Sequence, residues 1–365
     1  MTKIFNIEKS SNDYKSDNSL FFGCDVGLFD TVNKHHPKIW AIYKEIKSLD
    51  WSEDEFDYSQ CNQDFKNCPK SVYDIMIRTL AWQWEADSIV CRNIAPVLAP
   101  FITDSSLWAA WQRISDNEVV HAATYSEIVR MSFDDPEQVF EDILSVKESI
   151  VRLGALKTVL DKLYITSHRY ALGDITSDEA YDDLFMGIVG YFLLERVQFM
   201  ASFAITFTIC STGIFQSIGK AVQKICQDEL EVHVALDMEV LRVELQTKRG
   251  KAAYLRLKQK IKELCDDVVL SELNWCDYIF SEGRELVGGN INTVKSWVLF
   301  NAKPVYKFLD IQSEYKFPAI NPMPHLEDWI NIGKTQSAPQ EENNNQYKVG
   351  VIVNDDVDII FELDF

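Results

Sequence analysis

The stretch from Thr176 to Cys210 limits the fold more than any other part of the chain. It is apolar nearly all round. A helix with no polar face has nothing to offer solvent, so it belongs inside a large bundle. Its most apolar part, Phe199 to Ile209, is interrupted by Ser202, Thr206 and Thr208 and is short for a membrane span. Glu195 sits in the middle, in Phe192-Leu193-Leu194-Glu195-Arg196-Val197. A buried carboxylate needs a partner or it is neutralised. Arg196 is adjacent, but consecutive residues do not face each other on a helix. A metal cation is the better partner.

The totals narrow the choice of function. The 365 residues, 47% of them hydrophobic, allow one large domain or two ordinary ones with a substantial core. A formal net charge of -20 repels phosphate backbones, which argues against nucleic acid as a partner. The eight cysteines form no CxxC pair, so neither a zinc knuckle nor a thioredoxin-type site is suggested. With no basic-apolar segment at the start, the expected compartment is reducing and cytoplasmic, with no membrane partner.

A second stretch brings chemistry. In Glu118-Val119-Val120-His121-Ala122-Ala123-Thr124-Tyr125, a helix places Glu118, His121 and Tyr125 on one face. Gln227-Asp228-Glu229-Leu230-Glu231-Val232-His233 offers a similar carboxylate and imidazole, and Asp87 lies in another long apolar run. Asp87, Glu118, Glu195 and Glu229 thus come from separate helices, two of which also bring a histidine. Such a set builds a carboxylate-bridged two-metal site inside a bundle. Hard oxygens offset the charge of paired cations, and one imidazole per metal suits iron. A tyrosine one turn beyond His121 is placed to lose an electron to such a pair. The competing reading is a bundle whose inward acids pair with Arg92, Arg113 and Arg196.

Read in order, residues 1–30 form an N-terminal arm, with Phe21, Phe22 and Phe29 as docking points. His35 and His36 read as surface or helix-entry residues before Pro37. Residues 31–332 form the helical domain. Its helices are expected from Pro69 to about Asn93, from the Asp104 cap to about Asp134, and from Glu137 to Tyr164, with Val139, Ile143, Ile150, Leu153, Leu156 and Leu160 facing the core. Others are expected from Thr176 to Cys210, from Phe215 to Leu245, from Gly250 toward Phe280, and up to Leu309. Minor β structure is allowed near the C-terminal third. Residues 333–346 have linker composition, so 333–365 reads as a flexible tail. Its end, Asp355 to Phe365, is acidic and apolar and suits a peptide that docks into a partner. The alternative is a tail folded back on its own body.

These residues resemble the small, radical-generating subunit of class I ribonucleotide reductase from about Trp51 to the C-terminus. Trp51, Asp87, Glu118, His121 and Tyr125 occur in that family's order and separations. So do Glu195, Phe199, Phe203, Ile225, Asp228 and Glu229, and Tyr347-Lys348-Val349-Gly350 resembles its C-terminal tyrosine segment. The resemblance implies an all-α, ferritin-like bundle with additional helices. It implies a dinuclear centre, two iron ions by first expectation, with manganese or a mixed pair as alternatives. Asp87, Glu118 and His121 would bind one metal; Glu195, Glu229 and a histidine would bind the other. Tyr125 would carry the radical in a pocket of Phe199, Phe203 and Ile225. Trp51 and Asp228 would begin a long-range path that Tyr347 completes, and the tail would anchor a homodimer to the large subunit. Alternatives are a ferritin-like oxidase or oxygenase acting on a bound small molecule, and an iron-storage bundle.

The likeness departs in one place. The family's second histidine stands three residues after its glutamate, where this chain has Val232; His233 is four residues after Glu229. Four apart is still one helix face, and a π-bulge could absorb the extra residue. Alternatively Glu231 takes part. Gln227 stands where many relatives carry arginine.

Overall fold

The computed structural model describes residues 11–24 and 27–330. Among the described residues fourteen α-helices follow one another: α1 Ser11–Ser16, α2 Pro37–Ser48, α3 Cys61–Asn67, α4 Lys70–Leu98, α5 Ser105–Ser132, α6 Pro136–Leu144, α7 Lys147–Leu172, α8 Ser177–Leu193, α9 Phe199–Cys210, α10 Gln216–Gln227, α11 Val234–Glu244, α12 Lys248–Ile279, α13 Ile291–Phe308 and α14 Glu327–Ile330. Two π-helical segments, Leu194–Gln198 and Asp228–His233, join α8 to α9 and α10 to α11. Among the described residues there is no strand. Two isolated bridges, Phe21 with Ile102 and Leu286 with Gly289, are the nearest approach to one.

Four segments make the heart of the bundle: α4, α5, the α8–π–α9 run and the α10–π–α11 run. α4 and α5 pack along each other, α9 packs on α4, α10 and α13, and the two π segments touch. α7 packs on α4, α8 and α12, while α2 lies on α5 and α11. Every residue of α9 is buried, which accounts for its lack of a polar face. The run Ser177–Cys210 is long and apolar enough to cross a membrane, but 94% of its most apolar window is buried inside the protein.

Local chemistry sets several helix ends. Asp104 caps α5 by accepting from the Leu107 amide at 2.9 Å. Thr176 and Glu179 form a reciprocal capping box on α8. Gly173, at φ 82°, ends α7 in the left-handed region that glycine adopts without steric cost.

The structure differs from expectation in four respects. α4 passes Asn93 and carries Pro96 in its last turn. Pro96 leaves the Arg92 carbonyl without its helical donor, but Arg92 is exposed, so water can supply one. The helix expected over 137–164 is two helices broken at Ser145 and Val146, the second running on to Leu172. That break resets the helical phase: Ser149, Arg152 and Leu156 turn inward, and Ile150 is 54% exposed rather than core. The runs 176–210 and 215–245 each contain a π segment in place of continuous α-helix. In the N-terminal arm Phe21 is buried and Phe22 packs on Phe101 and Tyr170, but Phe29 is exposed beside Trp40.

Candidate metal centre

α4 contributes Asp87, α5 contributes Glu118, His121 and Tyr125, the first π segment contributes Glu195, and the second contributes Asp228, Glu229 and His233. All are buried. Two groups of potential ligands form. Asp87, Glu118 and His121 have donor atoms within 4.8 Å of one another, and so do Glu118, Glu195, Glu229 and His233. Glu118 belongs to both, as a bridging carboxylate would.

Each imidazole turns Nδ1 inward. His121 Nδ1 lies 3.2 Å from Glu229 Oε1 and 3.6 Å from Glu118 Oε2. His233 Nδ1 lies 2.9 Å from Glu229 Oε2 and 3.2 Å from Glu118 Oε1. The rings sit 5.8 Å apart. A π turn holds one residue more than an α turn. Within that turn His233, four positions after Glu229, joins Glu118, Glu195 and Glu229 in one group. Glu231 stays outside: it is exposed and accepts from Gln227 Nε2 at 3.1 Å.

The outer nitrogens are held as well. Asp228 Oδ2 accepts from Trp51 Nε1 at 2.7 Å, from Asn117 Nδ2 at 3.1 Å and from His121 Nε2 at 3.1 Å. Trp51 also stacks on His121, with ring centres 6.1 Å apart. Asn117 Oδ1 is 3.0 Å from His233 Nε2. The sequence reading missed Asn117; its only signal is its place beside Glu118. It also missed Asp237, one turn after His233, buried with Oδ1 unpartnered.

The electrostatics show what the site lacks. Burial pushes the Asp87 carboxyl well above its ordinary range, and Glu118 adds to the rise. Burial, then Glu229, does the same to Glu195. Burial disfavours a charged His233, but Glu229 and Glu118 outweigh it and raise the imidazole to about 10. For Glu229 burial is likewise outweighed by His233 and His121, which hold it below the usual carboxylate range. Without cations, protons must balance the charge.

Hydrogen bonds do not satisfy this cluster. Both oxygens of Asp87, both of Glu118, Oε2 of Glu195, Oε1 of Glu229 and Nδ1 of His121 have no hydrogen-bond partner. Each orphaned buried acceptor costs about 1–3 kcal/mol. The expected arginine partners are elsewhere: Arg113 pairs with Asp50 and Asp116, Arg196 donates to Asn301, and Arg92 is exposed. Oxygen donors with one imidazole in each group, and no thiolate, suit iron or manganese. The residues fit a dinuclear centre.

Tyr125 lies one helical turn past His121, 1% exposed, with its hydroxyl unpartnered. Burial, then Asp87 and Glu229, pushes its phenol well above the ordinary value. Phe199, Phe203 and Ile225 are all buried. Tyr347 and the acidic-apolar tail lie outside the described residues.

Comparison with known proteins agrees with this geometry. Residues 28–322 match the family described as ribonucleotide reductase, small chain. The chain is 24% identical over 351 residues to ribonucleoside-diphosphate reductase 1 subunit beta of Escherichia coli O157:H7, covering 91% of this chain and 92% of that protein. It is also 24% identical to the subunit beta of Enterobacteria phage T4, covering 92% of each. Among solved structures, the ribonucleotide reductase R2 subunit from Clostridium botulinum superposes with a TM-score of 0.77 at 14% identity, covering 90% of this chain and 98% of that one. With the family matched across most of its length and the fold shared, this chain belongs to the small-chain family of ribonucleotide reductase.

Proposed function

We propose that this subunit holds two metal ions in its buried cluster, generates a radical on Tyr125, and delivers it to a large subunit for reduction of ribonucleotides to deoxyribonucleotides. Asp87, Glu118 and His121 would hold one ion; Glu195, Glu229 and His233 would hold the other, with Glu118 able to reach both. A pair of iron ions, of manganese ions, or one of each would supply the oxidising power once an oxygen species reacts there. The observation that carries this reading is the convergence of Asp87, Glu118, Glu195 and Glu229 with unpartnered oxygens and no lysine or arginine in their ligand groups.

The chain's own residues have separable parts. Burial keeps water and reductants from Tyr125, whose phenol proton would leave with the electron toward the carboxylate cluster beside it. Trp51, Asp228 and His121 form a hydrogen-bonded line out of the site, suited to passing an electron with its proton. Tyr347 would continue that path, the acidic-apolar tail would dock on the large subunit, and the small subunit would act as a homodimer. Cys61, Cys68, Cys91, Cys210, Cys226, Cys265 and Cys276 carry free thiols, which suits a cytoplasmic setting.

Electron paramagnetic resonance after anaerobic loading with Fe(II) or Mn(II) and exposure to oxygen or superoxide tests the reading. A tyrosyl signal that disappears in Tyr125→Phe is the expected result. No radical under any loading, together with a hydroxylated product, would instead favour an oxygenase.

A further inference from the structure

We propose that Asn117 is a positioning residue of the metal centre: it fixes the His233 ring with Nδ1 toward the ions and ties that ring to the Trp51–Asp228–His121 line. This rests on the dinuclear reading above. The Trp51 indole can only donate a hydrogen bond. It donates to Asp228 Oδ2, and a carboxylate in that place accepts. The Asn117 side chain must therefore turn its NH2 toward Asp228. Its carbonyl oxygen then faces His233 Nε2 at 3.0 Å and can only accept. So Nε2 carries the hydrogen, and Nδ1, which lies between Glu229 and Glu118, keeps its lone pair for a metal.

The position asks for an asparagine. One neighbour is an acceptor and the other a donor, and a planar amide presents both on one short side chain. Aspartate would offer no donor to Asp228; leucine would fill the space and offer neither. His233 itself stands at the end of a π segment. Outer hydrogen bonds that fix a ligating imidazole contribute roughly 10–100-fold to metal affinity. Asn117 is 7% exposed, and the described structure gives its side chain these two bonds.

The test is an anaerobic titration of the full chain with Mn(II) alone, followed by electron paramagnetic resonance. The spin-coupled pair and the isolated six-line ion are read separately. Wild type takes two ions. Asn117→Ala keeps the first ion and binds the second roughly 10–100-fold more weakly, leaving an isolated-ion spectrum. Asn117→Asp keeps the acceptor for His233 but loses the donor to Asp228, so it binds the second ion less tightly than wild type; wild-type binding there would overturn the link to Asp228. Asn117→Leu, which keeps the volume, answers the question if the alanine variant fails to fold. Unchanged second-ion binding in the alanine or leucine variant overturns the proposal. A wild type that binds fewer than two ions overturns the dinuclear reading itself, and is seen without any variant.

Discussion

At the scale of single residues, the site is a problem of charge that protons solve poorly and cations solve well. Asp87, Glu195 and His233 all hold protons more tightly when folded than in an open chain. The metal-free fold therefore binds more protons than the unfolded chain, and its stability falls as pH rises. For His233 the contribution is full below about 6.5 and is lost as pH passes about 10. Glu229 has the opposite sign, but its contribution is complete above the ordinary carboxylate range. Metal-free protein should thus melt at lower temperature as pH goes from about 6 to about 9, while metal-loaded protein changes less. Mn(II) loading at pH 7 should release protons that an indicator dye detects; loading with no proton release would contradict this account. His233→Ala should lose one ion per chain and keep the other, as metal analysis would show. Asp87, Glu118, Glu195, Glu229 and the two histidines stood out in the sequence because inward charge is conspicuous in apolar runs, while Asp237 did not. Nor did Asn117, since an uncharged residue beside a ligand carries no pattern of its own.

At the scale of elements, both π segments coincide with proposed ligands: Leu194–Gln198 holds Glu195, and Asp228–His233 holds Glu229 and His233. A spacing of four between Glu229 and His233 made the second segment readable in advance. Nothing in the local residue types signals the first, because a π turn depends on what the helix packs against. The same limit explains Ile150, where a short break between α6 and α7 changed the phase of an apolar pattern. Arg152 took the inward place. Its guanidinium lies 3.7 Å from the Trp82 ring centre and 4.7 Å from that of Trp275, and it pairs with Glu272 at 2.6 Å. This joins α7 to α12 and α4. Removing one partner of such a pair strands a buried charge, so Glu272→Ala should cost about 3–5 kcal/mol in chemical denaturation. Replacing both partners with apolar residues should cost far less; equal losses would place the effect in packing.

At the scale of the whole molecule, the bundle was readable from run length and the absence of a polar face, most clearly in 176–210. Helix ends were readable where caps occur, as at Asp104 and Thr176, and misplaced where a proline or a short break was the only cue. The tail expected over 333–365 lies outside the described residues, so its role is a matter for binding experiments. Deleting Asp355–Phe365 should abolish binding to the large subunit and leave metal content unchanged; retained binding would remove the docking role. The central claim is that the buried acids converge because two cations sit among them. Anomalous diffraction at the iron and manganese edges, on crystals of protein purified without added metal and then loaded, tests it most directly. Two anomalous peaks flanking Glu118, one beside Asp87 and His121 and one beside Glu195, Glu229 and His233, are the predicted result. A single peak, or none among these side chains, would contradict it.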